Sequence, residues 1–408
     1  MLTITGAAAI LIDEDTETSG DLTVDGDGTL SADGCIVTPG LINAHHHLLQ
    51  SAFRTLPGTR GVAMRDWLPT MAAAYARAGV DAELASAAAS VGVAEGLLCG
   101  VTTVADHHLT WPSGADTVSI ARATADAARA LGGRLVFVRG SARDDPQEAA
   151  ASAEAIAGAL NTDDGMLQLA VGPAGVHSDS RETFELLAEV AAKHGLRRRT
   201  QSNEQVDTAI ALEKYGKRPI DLLEEWGWLA DDVTLAHLCD VTPDEIARLA
   251  KAGVTATHAP GCDLPMGWGI APVAALRAAG IRVGLGTSGG GSNDAGHLLA
   301  DARLALQVAP LVGRPLAARE VLAMAMAGSA AGLGRPELGH LREGSAADLC
   351  VWDVSGVTDA GVADPVAGLL WANPGRRPKH VVVNGRVVVR DYALVNADER
   401  ELVARLLS

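Results

Sequence analysis

Val37-Thr38-Pro39-Gly40-Leu41-Ile42-Asn43-Ala44-His45-His46-His47 is the stretch on which the fold turns. An apolar strand, read as Val37–Ile42, passes through Pro-Gly and at once presents three histidines. In extended backbone, residues i and i+2 face the same way. His45 and His47 can therefore converge on one ion while His46 faces elsewhere, a pairing of imidazoles suited to zinc. A surface histidine cluster is the competing reading, and the apolar strand directly before the triplet argues against it.

Working outward, the same texture repeats: apolar strand, polar loop, long alanine-rich helix. Further strand candidates are Val101–Ala105, Arg134–Arg139, Leu167–Gly172, Leu196–Thr200, Val233–His237, Val254–His258 and Arg282–Gly286. Successive βα units imply a parallel sheet, and eight such strands suit a closed barrel whose interior side chains just fill it. The helices carry boundary signals. Ser180 opens one that Gly195 closes, and Thr242-Pro243-Asp244-Glu245 is a capping box with Pro at the first helical position. Short strands also occupy both chain ends: Leu2–Thr5, Ala9–Ile12, Leu22–Val24 and Leu30–Ile36 at one, Asp348–Asp353 and His380–Val389 at the other. Asn384-Gly385 is a strong hairpin turn. The expected architecture is α/β: a (β/α)8 TIM barrel over 37–340, with a small composite β-sandwich domain from residues 1–36 and 341–408, the latter ending in a helix at Asp398–Leu407.

The 408 residues carry 33 Lys plus Arg against 50 Asp plus Glu, a formal charge of −17. That field repels nucleic acid and anionic membrane surfaces, so neither is expected as a partner. Apolar residues make up 48% but aromatic ones only 3%, so Ala, Val and Leu must build the core. Cys35, Cys99, Cys239, Cys262 and Cys350 are odd in number, lie far apart and form no CxxC pair, which disfavours disulfides and a zinc ribbon. The opening MLTITGAAAILIDED lacks a basic region before its short apolar run and is not expected to act as a secretory signal. A cytoplasmic location is the expectation.

Reactive groups of such barrels lie just past the C-terminal ends of the strands. That rule brings His45, His47, Asp106, His107, His177, His237 and His258 into view. Asp106 either lines a pocket or orients a nearby imidazole. Arg199 is a candidate bidentate donor to a substrate carbonyl or carboxylate. Gly289-Gly290-Gly291 with Asn293 lacks the lysine of a phosphate loop and reads instead as a tight turn beside a ligand. Cys239 and Cys262 follow strands six and seven without a neighbouring base, so covalent catalysis is not expected.

The chain resembles the amidohydrolase superfamily, in its chlorohydrolase and deaminase branch. The likeness is carried by Pro39 to His47, Gln50, Arg54, Asp66-Trp67-Leu68, Gly100-Val101-Thr102-Thr103, Asp106-His107, Ala236-His237, Ile270-Ala271-Pro272-Val273, Val283 to Gly286, Ser292-Asn293-Asp294, Gly344 to Leu349 and Val383 to Arg386. The resemblance implies the barrel and the composite β-domain. It also implies hydrolytic removal of an amino or halide group from a small heterocycle, by water activated on zinc or iron. It implies four metal ligands: an HxH pair, a strand-five His and a strand-eight Asp. A Glu three residues beyond the strand-five His would shuttle protons, and a strand-six His would orient the water. Gln50, Arg54, Trp67 and Asn293 become candidate substrate contacts, and a homodimer is the expected assembly.

Two of those ligands are replaced. Where the resemblance implies HxHxxE, this chain has Arg199-Thr200-Gln201-Ser202-Asn203-Glu204, and the strand-eight Asp position falls on Ser288. Glu204 and His237 remain as the expected catalytic pair, with His45 and His47 as the remaining metal ligands. An amide and a hydroxyl are poor zinc donors, so the metal is expected to be absent or weakly bound. The expected reaction is C–N hydrolysis of a small nitrogen heterocycle or cyclic amidine. The alternatives are a metal-independent lyase, isomerase or cyclase, which needs only acid–base pairs, and a catalytically silent ligand-binding relative.

Overall fold

The computed structural model describes residues 1–162 and 164–408. Two sheets organise it. The chain ends build one mixed sheet from β1 (Leu2–Leu11), β2 (Glu17–Val24), β3 (Gly28–Ser31) and β4 (Cys35–Pro39). The parallel sheet follows: β5 (Leu41–His47), β6 (Val101–His108), β7 (Arg134–Ser141), β8 (Leu167–Pro173), β9 (Arg197–Ser202), β10 (Val233–His237), β11 (Thr255–His258), β12 (Val283–Leu285) and β13 (Ser288–Gly289). Then β14 (Leu349–Asp353), β15 (His380–Val383), β16 (Arg386–Arg390) and β17 (Ala393–Leu394) complete the mixed sheet. Its order is β17-β16-β15-β14-β4-β1-β2, with β3 against β1. In the second sheet consecutive strands pair in parallel from β5 to β12, and β13, two residues past β12, pairs back onto β5 and closes the ring.

Several boundaries differ from the sequence reading, each for a local reason. The strand expected over Val37–Ile42 is split between the two sheets. Gly40 N donates to Asp348 O at 2.9 Å, whereas Leu41 N donates to Gly100 O at 3.0 Å. A Cβ at Gly40 would lie 2.3 Å from Thr102 Oγ1, so only glycine lets the chain cross so close to β6. The two strands read at Leu2–Thr5 and Ala9–Ile12 are one, β1, whose register shifts between Ile4 and Ala7 and again between Ala7 and Ile10. Such irregularities break the period-two pattern on which the reading relied. Asn384 and Gly385 both have positive φ, 49° and 73°, and join β15 to β16 as the hairpin residues they resemble.

Helices form where their caps say. The Ser180 side chain accepts from Thr183 N ahead of Arg181–His194, and Gly195 ends that helix at φ 64°. Thr242 and Glu245 make the capping box before Pro243–Ala252. The helix Ala82–Leu98 is apolar nearly all round and is buried accordingly, packed beneath Leu48–Ala52 and against Thr117–Leu131 and Glu399–Leu407. Phe137, Leu169, Leu187, Leu235 and Leu249 lie in the same core between strands and helices. No described helix is long and apolar enough to cross a membrane. The result is a rigid ring of strand ends on which polar side chains can be held in place.

Candidate active site

The histidine triplet lies within β5, where the pairing with β6 shifts register between Asn43 and His46. The His45 and His47 rings face the same interior, their centroids 4.9 Å apart, while the His46 Nδ1 pairs with Thr287 Oγ1 at 2.9 Å. His47 Nδ1 bonds the His107 carbonyl oxygen at 2.7 Å, which fixes its proton there and leaves Nε2 as the open nitrogen. Among the described residues His45 Nε2 is buried and has no hydrogen-bond partner. Burial holds both imidazoles neutral, His45 well below the usual range and His47 at about 4.

Across the ring mouth stand Gln201 near the end of β9, Glu204 two residues past it, and His237 at the end of β10. His237 Nε2 is 3.1 Å from Gln201 Oε1 and 3.8 Å from Glu204 Oε1. Its Nδ1 is 2.6 Å from Asp263 Oδ1. The backbone here is strained: His237 has φ 77°, Leu238 54°, Asn203 55° and Ser288 54°. Non-glycine residues rarely adopt these values, and such outliers gather at functional sites. Glu204 is fully buried, and among the described residues neither of its oxygens has a hydrogen-bond partner. Burial pushes its carboxyl up to about 7, against the opposing pull of His237 and His177. His177 shows the reverse balance. Burial disfavours its charged form, but the hydrogen bond and charge of Asp207, 3.0 Å away, raise it to about 9.

Above these groups opens a cavity of about 620 Å3. His47, Gln50, Trp67, Asp106, His107, His177, Gln201 and Ser288 line it, together with Trp111 and Trp268. Glu204, His237 and His45 lie just beneath this lining, with Trp268 edge-on to His237 at 5.0 Å. Several candidates reach the wall already engaged. Gln50 Oε1 accepts from Gly291 N at 3.0 Å, Trp67 Nε1 donates to Gly291 O at 3.0 Å, and His107 Nε2 pairs with Gly172 O at 2.9 Å. Asp106 Oδ1 accepts from Leu48 N at 2.8 Å, so it caps the turn after β5 rather than orienting an imidazole.

Four candidates stand off the cavity. Arg199 does not offer a donor fork to the mouth, because its guanidinium is spent inside the barrel on the carbonyl oxygens of Gly332 and Ala44. Arg54 is paired with Glu95 at 2.5 Å. Asn293 donates to Thr287 O and Asp301 Oδ2. His258 is buried with its Nδ1 3.8 Å from Asp263 Oδ2. Burial pushes the Cys239 and Cys262 thiols upward, so neither is a ready nucleophile. The sequence reading missed Asp263 and Asp207. Asp263 follows β11 by five residues and the strand-end rule reaches it, but its pairing with a histidine of the neighbouring strand is invisible in one dimension.

The donors suit a cation with restrictions. His45 and His47 present neutral imidazoles, one with its Nε2 unpartnered. Gln201 and Ser288 add only neutral oxygens, and no carboxylate occupies either position. The set fits a zinc ion held without anionic help. Among the described residues, the one trio of His, Cys, Asp or Glu with ligand atoms all within 4.8 Å of one another is instead His177, Glu204 and Asp207.

A parallel barrel closed beneath a two-histidine edge, capped by a sheet of both chain ends, defines a class of hydrolases. The chain belongs to the amidohydrolase family, whose sequence profile matches residues 36–388, and within it to the branch of chlorohydrolases and deaminases. It is 34% identical to 8-oxoguanine deaminase of Pseudomonas aeruginosa over 389 residues, covering 91% of this chain and 86% of that one. It is 30% identical to 5-methylthioadenosine/S-adenosylhomocysteine deaminase of Halobacterium salinarum, covering 96% and 89%. Among solved structures, atrazine chlorohydrolase TrzN from Arthrobacter aurescens TC1, complexed with zinc, superposes with a TM-score of 0.93 at 36% identity, covering 100% of this chain and 99% of that one.

Proposed function

We propose that this protein hydrolyses an exocyclic C–N bond of a small nitrogen heterocycle or cyclic amidine, with Glu204 moving the protons and His237 orienting the water. The observation that carries the reading is the state of Glu204: a fully buried carboxylate, without a hydrogen-bond partner among the described residues and 3.8 Å from an imidazole nitrogen. Such a group exchanges protons near neutral pH, as a general acid–base requires. It takes a proton from the attacking water and delivers it to a ring nitrogen. The new C–O bond forms and the C–N bond breaks; one water proton stays on the ring nitrogen of the oxo product, and the other joins the departing amino group as ammonia.

Substrate class follows from the walls. Trp67, Trp111, Trp268 and Tyr75 offer aromatic faces to a flat ring. With Arg54 and Arg199 engaged elsewhere, Arg143 is the one guanidinium in the described lining. His177, held charged by Asp207, supplies a donor to a ring nitrogen or carbonyl.

His45 and His47 would hold zinc, with Gln201 as a neutral neighbour. A bound zinc would supply Lewis acidity and a water more readily deprotonated at neutral pH. Lacking an anionic ligand, the site is proposed to hold zinc weakly. The neutral Gln201 and Ser288 also favour a second reading, a metal-independent acid–base enzyme.

Metal analysis of protein purified without chelator, combined with ammonia release from a panel of aminopurines, aminopterins and aminotriazines, separates them. Chelation that abolishes ammonia release, with zinc restoring it, supports the hydrolase. Turnover by metal-free protein supports the second reading. Binding without turnover of any panel member overturns both. Glu204→Gln and His237→Asn each abolish turnover on either enzyme reading, and an unchanged rate in both would refute the assignment of the site.

A further inference from the structure

The buried acid–base cluster has one member that the proposed function leaves without a task. Asp263 lies in the short helix Pro260–Asp263 after β11 and is completely buried. Its Oδ1 is 2.6 Å from His237 Nδ1. Among the described residues its Oδ2 has no hydrogen-bond partner; it lies 3.8 Å from His258 Nδ1, which has none either. A carboxylate is therefore held between imidazoles from the ends of two adjacent strands and is bonded to one.

An imidazole has two nitrogens, and a partner on one decides which way the other serves. With Asp263 accepting at Nδ1, His237 Nε2 is left facing Gln201 and Glu204. Two further features hold the ring in that pose. Trp268 packs edge-on at 5.0 Å, and φ of 77° at His237 turns the strand end sharply. The helix bearing Asp263 is itself anchored, for Gly261 N donates to Asp301 Oδ1 at 2.8 Å.

We propose that Asp263 is the positioning residue of this site: by accepting the Nδ1 proton of His237 it sets the ring tautomer and aim, and the negative charge missing at Ser288 acts from position 263 through an imidazole. This rests on the assignment of His237 to the reaction, and the experiment separates the two. In protein labelled with 15N-histidine, the His237 signal is identified by its loss in His237→Asn. The wild-type spectrum is expected to show Nδ1 protonated. Asp263→Ala is expected to shift His237 toward the other tautomer and to lower kcat by roughly 10–100-fold, the usual cost of losing such a partner, with KM unchanged. Asp263→Asn keeps an oxygen acceptor and is expected to recover the tautomer and most of the rate.

A wild-type spectrum with Nδ1 unprotonated overturns the proposal, and it decides the matter even if Asp263→Ala does not fold. So does a rate and tautomer unmoved in Asp263→Ala while His237→Asn is inactive; that result leaves the function standing. Full activity in His237→Asn instead strikes at the proposed function.

Discussion

Gln201 Oε1 and His237 Nε2 lie 3.1 Å apart. This contact ties the strand-five position, which carries an amide, to the imidazole of the next strand. It is also where the site departs most from a set of strong zinc donors. Replacing Gln201→His together with Ser288→Asp adds an imidazole and a carboxylate beside His45 and His47. Zinc affinity, measured by competition with a chromogenic chelator, is expected to rise by at least 10-fold, since even outer partners of a metal site change affinity by roughly 10–100-fold. No gain would mean that positions 201 and 288 do not face the metal.

The pH dependence of turnover follows from Glu204 and His177. Glu204 titrates at about 7 because burial penalises its charge. Below that pH the carboxyl is protonated and cannot accept the water proton, so kcat/KM falls toward acid. His177 titrates at about 9, burial being outweighed by Asp207. Above that pH it loses the proton it would donate to substrate, so activity falls again. Asp207→Asn removes the charge that holds this proton, and the alkaline limb of the profile is expected to move to lower pH. An alkaline limb unmoved by Asp207→Asn would remove His177 from the reaction.

Arg134 and Asp348 join the parallel sheet to the mixed one. Two parallel bonds of 2.7 and 2.9 Å connect them, both side chains are buried, and Asp348 Oδ1 also accepts from Asn384 N at 2.7 Å. Removing one partner strands the other charge in the interior. Asp348→Ala is expected to cost about 3–5 kcal/mol, seen as a lowered midpoint in urea unfolding. A loss below about 1 kcal/mol, the range of exposed pairs, would contradict the burial.

Gly286 stands where β12 ends, against the first zinc candidate. A Cβ there would sit 2.7 Å from His45 O and 2.8 Å from His45 Cβ. Gly286→Ala therefore overpacks the site and must push His45 aside. A stability loss of about 1–3 kcal/mol is expected, together with a fall in zinc affinity. Thermal unfolding with and without zinc reads both at once.

Much of this was visible in the chain before folding. Alternating strands and capped helices from Val101 to Gly286 announced a barrel, because parallel strands need crossover helices and buried strands read as apolar runs. The i, i+2 spacing of His45 and His47 placed both rings on one side, since the pleat of β5 leaves no choice. Gln201 and Ser288 were singled out through the family resemblance alone, and the structure places both in the cavity wall.

What a linear reading could not supply was which polar groups would be consumed by neighbours distant in the chain. Arg199 looked like a substrate clamp, yet its guanidinium meets the backbone of Ala44 and Gly332, 155 and 133 residues away. Asp263 was not singled out at all, yet closure of the ring sets it against His237. Local pattern governs strand and helix through nearest-neighbour sterics and capping. The partner of a buried charge is chosen by where two distant strand ends arrive, and burial makes that choice matter by removing the water that would otherwise satisfy either group.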